Sequence, residues 1–290
     1  MFPLIEYPAK WADPAEHHRA LDPGELEQML AKATYPALFV VKEPFAEMPA
    51  RTGCWLGGAP TLPPEIAWPW VARYTEEATH PMHFIAQINL ASLPFGEDFE
   101  LMPRTGTLFF FADYADHLEG VPGTASVIWV DGDVSACPER AMPEFPEGWK
   151  ERTLLDVCWF EEPKVFRKWP VHAHKYEQTA WMFVTQDFAD AAIERIQATG
   201  KALNEIAVAP VTDPDRSGLE TERSGPAAHT FFDFYGDRDE HLMEARQIPL
   251  LRLEYDHDWG FDYSEHLAFY IDSEALKARD FSRAFAWTII

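Results

Sequence analysis

The segment from Gly53 to Trp70 limits the possible folds of this chain more than any other, because it is dense in glycine and proline. It reads Gly-Cys-Trp-Leu-Gly-Gly-Ala-Pro-Thr-Leu-Pro-Pro-Glu-Ile-Ala-Trp-Pro-Trp. Proline fixes φ and lacks an N–H, and glycine adopts positive φ without steric cost, so the segment cannot continue a helix or a central strand. Large apolar side chains occur along it: Trp55, Leu62, Ile66, Trp68 and Trp70. They predict an ordered loop that is anchored on a hydrophobic core. We call residues 53–70 the Gly/Pro loop.

Two strand patterns follow the Gly/Pro loop. Residues 82–90 place Met, Phe, Ala, Ile and Leu at every second position, which is the period of a strand with one buried face. Residues 106–113 form a short aromatic run bounded by turn residues, and both its length and its composition favour a buried strand. We expect these two strands to pair with each other.

The rest of the chain alternates further strands with a few helices. A helix is predicted to begin at Asp22, with Asp22 as its N-cap, Pro23 at the first helical position and Glu25 in the first turn. Apolar spacing predicts a second helix over about 187–204. Strands are predicted over 36–42, 124–131, 153–160 and 169–174, a mobile polar loop over 210–228, and two strands and a short helix at the end of the chain.

The composition indicates a folded and strongly acidic protein. The chain has 290 residues, of which 47% are hydrophobic, and this is enough for a large core. Lys plus Arg number 24 and Asp plus Glu 48, so the net charge is 24 − 48 = −24, and acidic residues outnumber basic ones in both halves. The negative electrostatic field of a chain with this charge repels phosphate backbones and anionic membranes. We therefore expect neither nucleic acid nor a membrane as a partner. A basic protein is the partner that the charge favours.

The cysteines and the apolar runs predict a cytoplasmic location. Cys54, Cys137 and Cys158 are odd in number and lie far apart, with neither a CxxC nor a zinc-ligand spacing, which is typical of buried thiols in a reducing compartment. The first residues show no basic region followed by an apolar one, and no run approaches about 18 apolar residues.

The order of these motifs resembles the YwqG-like family, a bacterial domain of unknown function (DUF1963). The likeness lies in Gly-Gly-x-Pro-x-Leu-Pro at residue 57, Trp-Pro at residue 68, Gln-Ile-Asn at residue 87 and Gly-x-Leu-x-Phe-Phe at residue 106. The closing pattern of strand, acidic turn, strand and short helix over 249–283 is also similar to the family's. The family's His-Gly-Pro approach to a glutamine is replaced here by residues 229–233 and 246–247. The resemblance implies an α+β fold with mixed, mainly antiparallel sheets and a few short helices, but it implies no activity.

The chain is interpreted as one domain over 1–290, with two candidate halves, 1–145 and 146–290. The connector at 136–149 holds three prolines and a glycine and is the predicted boundary. The strand, acidic loop, strand and Asp of 84–113 have a counterpart in 250–272. A duplication with a cleft between its halves explains this similarity, and so does convergent strand patterning.

Few residues qualify as a chemical site, and no catalytic residue or cofactor is predicted. His172 and His174, two apart on a strand, point to one face as metal ligands do, but no spacing supplies a third ligand. Asp256 lies in Asp-His-Asp-Trp, which lacks the spacing of an EF-hand and is typical of an acidic turn.

Gln87 is the polar residue of most interest, because it lies within an apolar strand and a buried amide needs hydrogen-bond partners. It is predicted either to bond the Gly/Pro loop and hold Trp68 in place, or to face a ligand.

Two classes of function remain open. The first is a noncatalytic acidic module that binds a protein, in an immunity or stress setting that the resemblance suggests. The second is a small-molecule-binding protein or an enzyme, with a cleft lined by Trp68, Gln87, His229 and Asp256. The absence of any catalytic signature favours the first, while the oligomeric state is left open.

Overall fold

The fold is known from a computed structural model. It describes residues 20–43, 50, 52–72, 80–113, 120–147, 165–179, 186–207, 229–232, 247–254 and 266–289. The strand predicted over 153–160, the loop predicted over 210–228 and Asp256 lie outside these residues.

Ten strands and three α-helices make up the described part of the chain. The strands are β1 (Thr34–Lys42), β2 (Trp55–Leu56), β3 (His83–Asn89), β4 (Thr107–Ala112), β5 (Ala125–Val130), β6 (Trp169–Thr179), β7 (His229–Phe231), β8 (Gln247–Leu253), β9 (His266–Asp272) and β10 (Phe285–Ile289). The helices are α1 (Pro23–Ala33), α2 (Gln186–Ala207) and α3 (Ser273–Ala278), and short 3-10 turns cover Leu90–Ser92, Glu97–Phe99 and Phe281–Arg283.

The first helix begins where the sequence predicts. The Asp22 side chain accepts hydrogen bonds from the backbone N–H groups of Gly24 and Glu25, at 2.9 and 3.0 Å. These bonds satisfy donors that the first turn of a helix leaves without intrahelical partners. Leu30 and Ala33 are the buried residues of α1. The Asp272 side chain caps α3 in the same way, through the N–H groups of Glu274 and Ala275.

All ten strands belong to one sheet, in the order β10-β9-β8-β7-β1-β6-β2-β3-β4-β5. Every described pair of strands is antiparallel, including the predicted pair of β3 and β4. This order is symmetric about its centre, the pair of β1 and β6. From β1 outward the strands are β7, β8, β9 and β10, and from β6 outward they are β2, β3, β4 and β5. The expectation of mixed sheets is therefore replaced by one antiparallel sheet, and the fold is dominated by that sheet rather than balanced between helix and strand.

The sheet curls until it is nearly a barrel. Six strands separate β4 from β9 in the sheet order, so on a flat sheet they would lie about 34 Å apart at the usual spacing of about 4.8 Å. Yet the rings of Phe110 in β4 and Phe269 in β9 meet edge to face, with centroids 5.1 Å apart. The two ends of the sheet also approach each other, since the N–H of Gly120, before β5, donates to the carbonyl of Ala286 in β10 at 3.0 Å.

The curled sheet has a core inside it and apolar layers outside it. The inner core includes Leu38, Ile88, Phe110, Leu253 and Phe269, which come from both candidate halves. A second layer lies between the Gly/Pro loop and the outer face of β2, β3 and β4. A third lies where Leu30 of α1 and Phe188 of α2 pack with Tyr35 and Ala37 of β1.

Candidate functional site

The Gln87 side chain is bonded to the Gly/Pro loop. Its Oε1 accepts from the backbone N–H of Thr61 at 2.8 Å and lies 3.1 Å from the Thr61 hydroxyl, and its Nε2 lies 3.5 Å from the Gly53 carbonyl. The residue is 3% exposed. These are the bonds that the structural interpretation of Gln87 predicted, while its role toward a ligand stays a prediction.

Trp68 is buried above the same face of the sheet. Its ring meets Phe111 of β4 edge to face at 5.1 Å, and its Nε1 donates to the Met82 carbonyl at 2.9 Å. Trp68 is therefore held by Met82 and Phe111, and Gln87 holds a different part of the loop, at Thr61 and Gly53.

The two adjacent glycines of the loop allow it to approach residues 166–168, just before β6, closely. Gly57 and Gly58 have φ of 59° and 70°, and a Cβ on Gly57 would lie 2.5 Å from the Arg167 carbonyl oxygen. Only glycine fits such a conformation without strain. Their N–H groups donate to the carbonyls of Ile85 and Phe166, at 2.8 and 2.7 Å. Both N–H groups are thus used inside the fold, unlike those of a phosphate-binding loop.

His229 lies apart from Trp68 and Gln87. It begins β7 and is fully buried, and its Nδ1 accepts from the backbone N–H of Glu254 at 3.2 Å. Three strands, β1, β6 and β2, separate β7 from β3 in the sheet. We call the consecutive strands β2 to β5 the first meander and β7 to β10 the second meander. Gln87 lies in the first meander, under the loop that carries Trp68, whereas His229 lies in the second.

A polar cluster near His229 was not predicted from the sequence. It consists of Thr230, Arg252, Glu254 and His266, and we call it the Arg252 cluster. Arg252 is 5% exposed, and its Nη2 donates to Oε1 of Glu254 at 3.1 Å. His266 Nδ1 lies 3.7 Å from the same oxygen. The signal was present, because Arg252 interrupts the apolar run Pro-Leu-Leu-Arg-Leu much as Gln87 interrupts its own strand.

The histidine pair of β6 lies beside one carboxylate. The rings of His172 and His174 meet edge to face at 5.0 Å, and His172 Nδ1 is 3.3 Å from Oε1 of Glu43. Desolvation, with a smaller effect of the His172 charge, lowers the pKa of His174. Among the residues that the structure describes, no group of three or more His, Cys, Asp or Glu side chains is arranged to hold a metal ion.

Two further buried groups serve the fold. Cys54 Sγ lies 3.1 Å from the Ser92 hydroxyl and accepts from the Asn89 N–H at 3.3 Å, and burial raises the pKa of its thiol. His80 Nε2 and Asp113 Oδ1 lie 3.2 Å apart and are almost fully buried. The Cys54–Asn89 bond ties the start of the Gly/Pro loop to β3, and the His80–Asp113 pair joins the residues that precede β3 to the residue that follows β4.

An acidic surface covers the outside of the Gly/Pro loop. The segment 131–147 follows β5 and buries Val134 against the apolar layer under the loop. Its exposed acidic residues are Asp131, Asp133, Glu139, Glu144 and Glu147. Its one basic residue, Arg140, is turned inward, where Nη1 donates to the carbonyls of Pro63 and Ile66 at 3.0 and 2.7 Å. We call these five carboxylates the acidic surface.

The chain matches a known family over most of its length. The family model described as Domain of unknown function (DUF1963) covers residues 55–288, so the chain belongs to this family, as its motifs suggested. No curated protein matches the chain. Within the described residues, no helix has both the length and the apolar character needed to cross a membrane.

Proposed function

We propose that this protein is a noncatalytic binding module whose acidic surface recognises a basic protein. The observation that carries the proposal is the segment 131–147, which exposes five carboxylates along 17 residues while the guanidinium of Arg140 is bonded to the Gly/Pro loop. One of the five, Glu139, is paired with Lys168, and the other four face solvent without a described ion pair. Complementary charge raises the rate of encounter with a basic partner and rejects anionic ones. An immunity or stress-related setting remains part of this proposal and rests on the family resemblance.

The position of the acidic surface also supports binding. The segment is anchored by Val134 in the apolar layer and by the bond from the Arg140 N–H to the Pro60 carbonyl at 2.9 Å. Within it, the Ser135 N–H donates to the Asp133 carboxylate at 2.8 Å, and this bond lowers the pKa of Asp133. A partner therefore meets carboxylates whose backbone is already ordered, which reduces the entropy lost on binding.

We also propose that the halves 1–145 and 146–290 are related by duplication. Exchange of β1 to β5 with β6 to β10 preserves the sheet order. The register shifts at one place in β3, between Phe84 and Ala86, and at the corresponding place in β8, between Pro249 and Leu251. Convergent strand patterning does not account for a matched irregularity as simply as a common origin does, because bulges are individual features of a strand.

The binding proposal is tested by capture from a lysate of the source cells followed by native mass spectrometry. The test variant neutralises Asp131, Asp133, Glu144 and Glu147 to Asn or Gln. The control variant neutralises four exposed acids elsewhere, Glu97, Glu100, Asp190 and Glu194, so that both variants have the same net charge.

We expect the wild type and the control to capture the same basic protein in stoichiometric amount, and the test variant to lose it at 150 mM salt. A tightly bound metabolite with no protein partner would overturn the proposal. So would equal loss of capture in both variants, since that result would assign recognition to net charge rather than to this surface.

A further inference from the structure

We propose that the acidic surface recognises its basic partner through an arginine or lysine side chain that displaces Lys168 from Trp55 and Glu139. The inference rests on the proposed function, because it specifies the group that the acidic surface would hold. Lys168 immediately precedes β6, Trp55 belongs to the Gly/Pro loop, and Glu139 is one of the five carboxylates of the acidic surface. Together they form a cation site that the protein fills with its own lysine.

The Lys168 ammonium contacts both an aromatic face and a carboxylate. Its Nζ is 3.9 Å from the centroid of the Trp55 ring and 2.5 Å from Oε1 of Glu139. The negative face of an aromatic ring attracts a cation, and tryptophan is the strongest aromatic partner. A guanidinium fits such a site as well, because it stacks on a ring and donates to a carboxylate. The same two groups can therefore hold a basic side chain of another protein.

The Trp55 indole contributes its ring face to this site and no hydrogen bond. Trp55 is 4% exposed, and its Nε1 is buried without a hydrogen-bond partner. A buried indole N–H usually finds an acceptor, which orients the side chain. Here the polar contact described for Trp55 is with a cation, which is the group that a basic partner would bring.

The end of the Lys168 side chain can leave the site, while its base stays in place. The side chains of Lys168 and Glu139 are 31% and 51% exposed, so solvent reaches the ion pair. An ion pair at this exposure contributes little to stability and breaks readily. The base of the side chain packs against Gly58, where an added Cβ would lie 2.5 Å from the Lys168 Cβ. The space for a partner's cation is thus the space that the ammonium vacates.

The competition with Lys168 favours a partner with several basic residues. Lys168 pairs with Glu139 alone, whereas the other four carboxylates of the acidic surface have no described ion pair. A partner with several cations gains these carboxylates together with the Trp55 ring, and complementary charges reinforce one another across an interface. Lys168, which is always present in the same chain, outcompetes a single weakly held cation. Lys168 is therefore expected to lower affinity and raise selectivity.

The inference is tested with fluorescently labelled octaarginine as the probe, titrated into the full chain at about 150 mM salt and followed by anisotropy. Lys168→Met removes the ammonium and keeps most of the stem. Lys277→Met is the matched control, because Lys277 also pairs with an exposed glutamate, Glu274, at 2.7 Å, and both variants have the same net charge. In parallel, NMR of the chain with ¹³C-dimethylated lysines follows the Lys168 signal, which is assigned by its absence from Lys168→Met.

We expect octaarginine to bind the wild type saturably and to shift the Lys168 signal but not the Lys277 signal. Lys168→Met should bind about fivefold more tightly than the wild type, and Lys277→Met no more than about twofold more tightly. Addition of Glu139→Gln to Lys168→Met should remove most of this gain, because the site then lacks its carboxylate.

Four results would overturn the inference: no saturable binding of octaarginine, an unmoved Lys168 signal at saturation, equal affinity of Lys168→Met and the wild type, or an equal gain in both lysine variants. Failure of the proposed function is distinguishable from these results. Displacement of Lys168 by octaarginine, without capture of any basic protein from the lysate, would support the cation site and overturn the proposed function.

Discussion

Gln87 and Arg252 occupy the same place on matching strands, but their surroundings differ. Each lies just after the register shift of its strand, β3 or β8, and each interrupts an apolar run. Gln87 is opposite Trp55 and Phe109, and its amide is bonded to the Gly/Pro loop. Arg252 is opposite Thr230 and Ala268, and it bonds a half-buried carboxylate.

The difference shows how one framework supports two kinds of polar site. In the first meander, large aromatic neighbours and a bonded loop enclose a neutral amide. In the second, small neighbours surround a buried cation whose counter-charge reaches solvent. Packing by aromatic side chains and the bonded loop makes the first position a structural centre, while the second position is a buried cation whose bond to Glu254 lies near the surface.

The largest loss of stability is expected from a substitution that prevents the Gly/Pro loop from packing closely against residues 166 and 167. Gly57→Ala would place a Cβ 2.5 Å from the Arg167 carbonyl oxygen and 2.7 Å from the Phe166 Cβ, at a positive φ. We expect a loss of about 4 kcal/mol in the free energy of unfolding, measured by urea denaturation. Gly24→Ala, in the first turn of α1, is the control and should change stability by less than about 1 kcal/mol. A small effect at Gly57 would show that the loop can move away from residues 166 and 167.

The next largest loss of stability is expected at Arg252, the buried cation in β8. Glu254→Leu removes the carboxylate that accepts from Arg252 Nη2, and we expect a loss of about 3 kcal/mol in the free energy of unfolding, because a buried guanidinium loses a charged hydrogen-bond partner. Glu139→Leu is the matched control, since Glu139 pairs with Lys168 on the exposed acidic surface and should contribute about 0.5 kcal/mol or less. Equal losses in urea denaturation would contradict the distinction between the two ion pairs.

A smaller effect is expected at the enclosed amide of the first meander. Gln87→Leu leaves the buried Thr61 N–H without its acceptor, which should cost about 2 kcal/mol in thermal or urea unfolding. Gln178→Leu is the control, because that half-buried amide accepts from the N–H of its neighbour Thr179 and should cost less. If Gln87→Leu instead abolished retention of a ligand at unchanged stability, Gln87 would be a binding residue.

The smallest effect on stability is expected at His172 and His174 in β6. This strand lies between the two meanders in the sheet order. The pKa of His174 is lowered by desolvation first and by the His172 charge second. Neutral His174 therefore contributes stability above the ordinary histidine pKa, and this contribution is lost as the pH falls through that range.

We expect the decrease in the free energy of unfolding between pH 7.5 and pH 5 to be smaller in His174→Gln than in the wild type. Lys175→Gln, which changes the next residue of β6, should keep the full decrease. An identical decrease in all three proteins would show that His174 does not contribute to it.

Elements with local signals were predicted well. The cap at Asp22, the strands β3 and β4 and the second helix each depend on a pattern of a few residues, and the structure confirms them. The expected pairing of β3 with β4 is confirmed as well. The sequence also singled out Gln87 and offered a bond to the loop as one of two roles; the bond is present, but at Thr61 and Gly53 rather than at Trp68. The short strands β2 and β7 were not predicted, because two or three residues carry no readable period. The expectation of no central strand in the Gly/Pro loop was therefore wrong at Trp55–Leu56, which pair with β6 and β3, and the last strand, β10, was also not predicted.

The sequence alone determined the family, the acidic charge, the loop built from glycine and proline, and most strands, because each depends on composition or local pattern. Only the tertiary structure decided that one sheet carries all ten strands and curls toward a barrel. It also decided that Thr230, Arg252, Glu254 and His266 form one cluster while three strands lie between Gln87 and His229. The physical reason is that antiparallel pairing between distant strands, such as β1 with β6 and β7, is selected by burial of whole faces, which no short window of sequence contains.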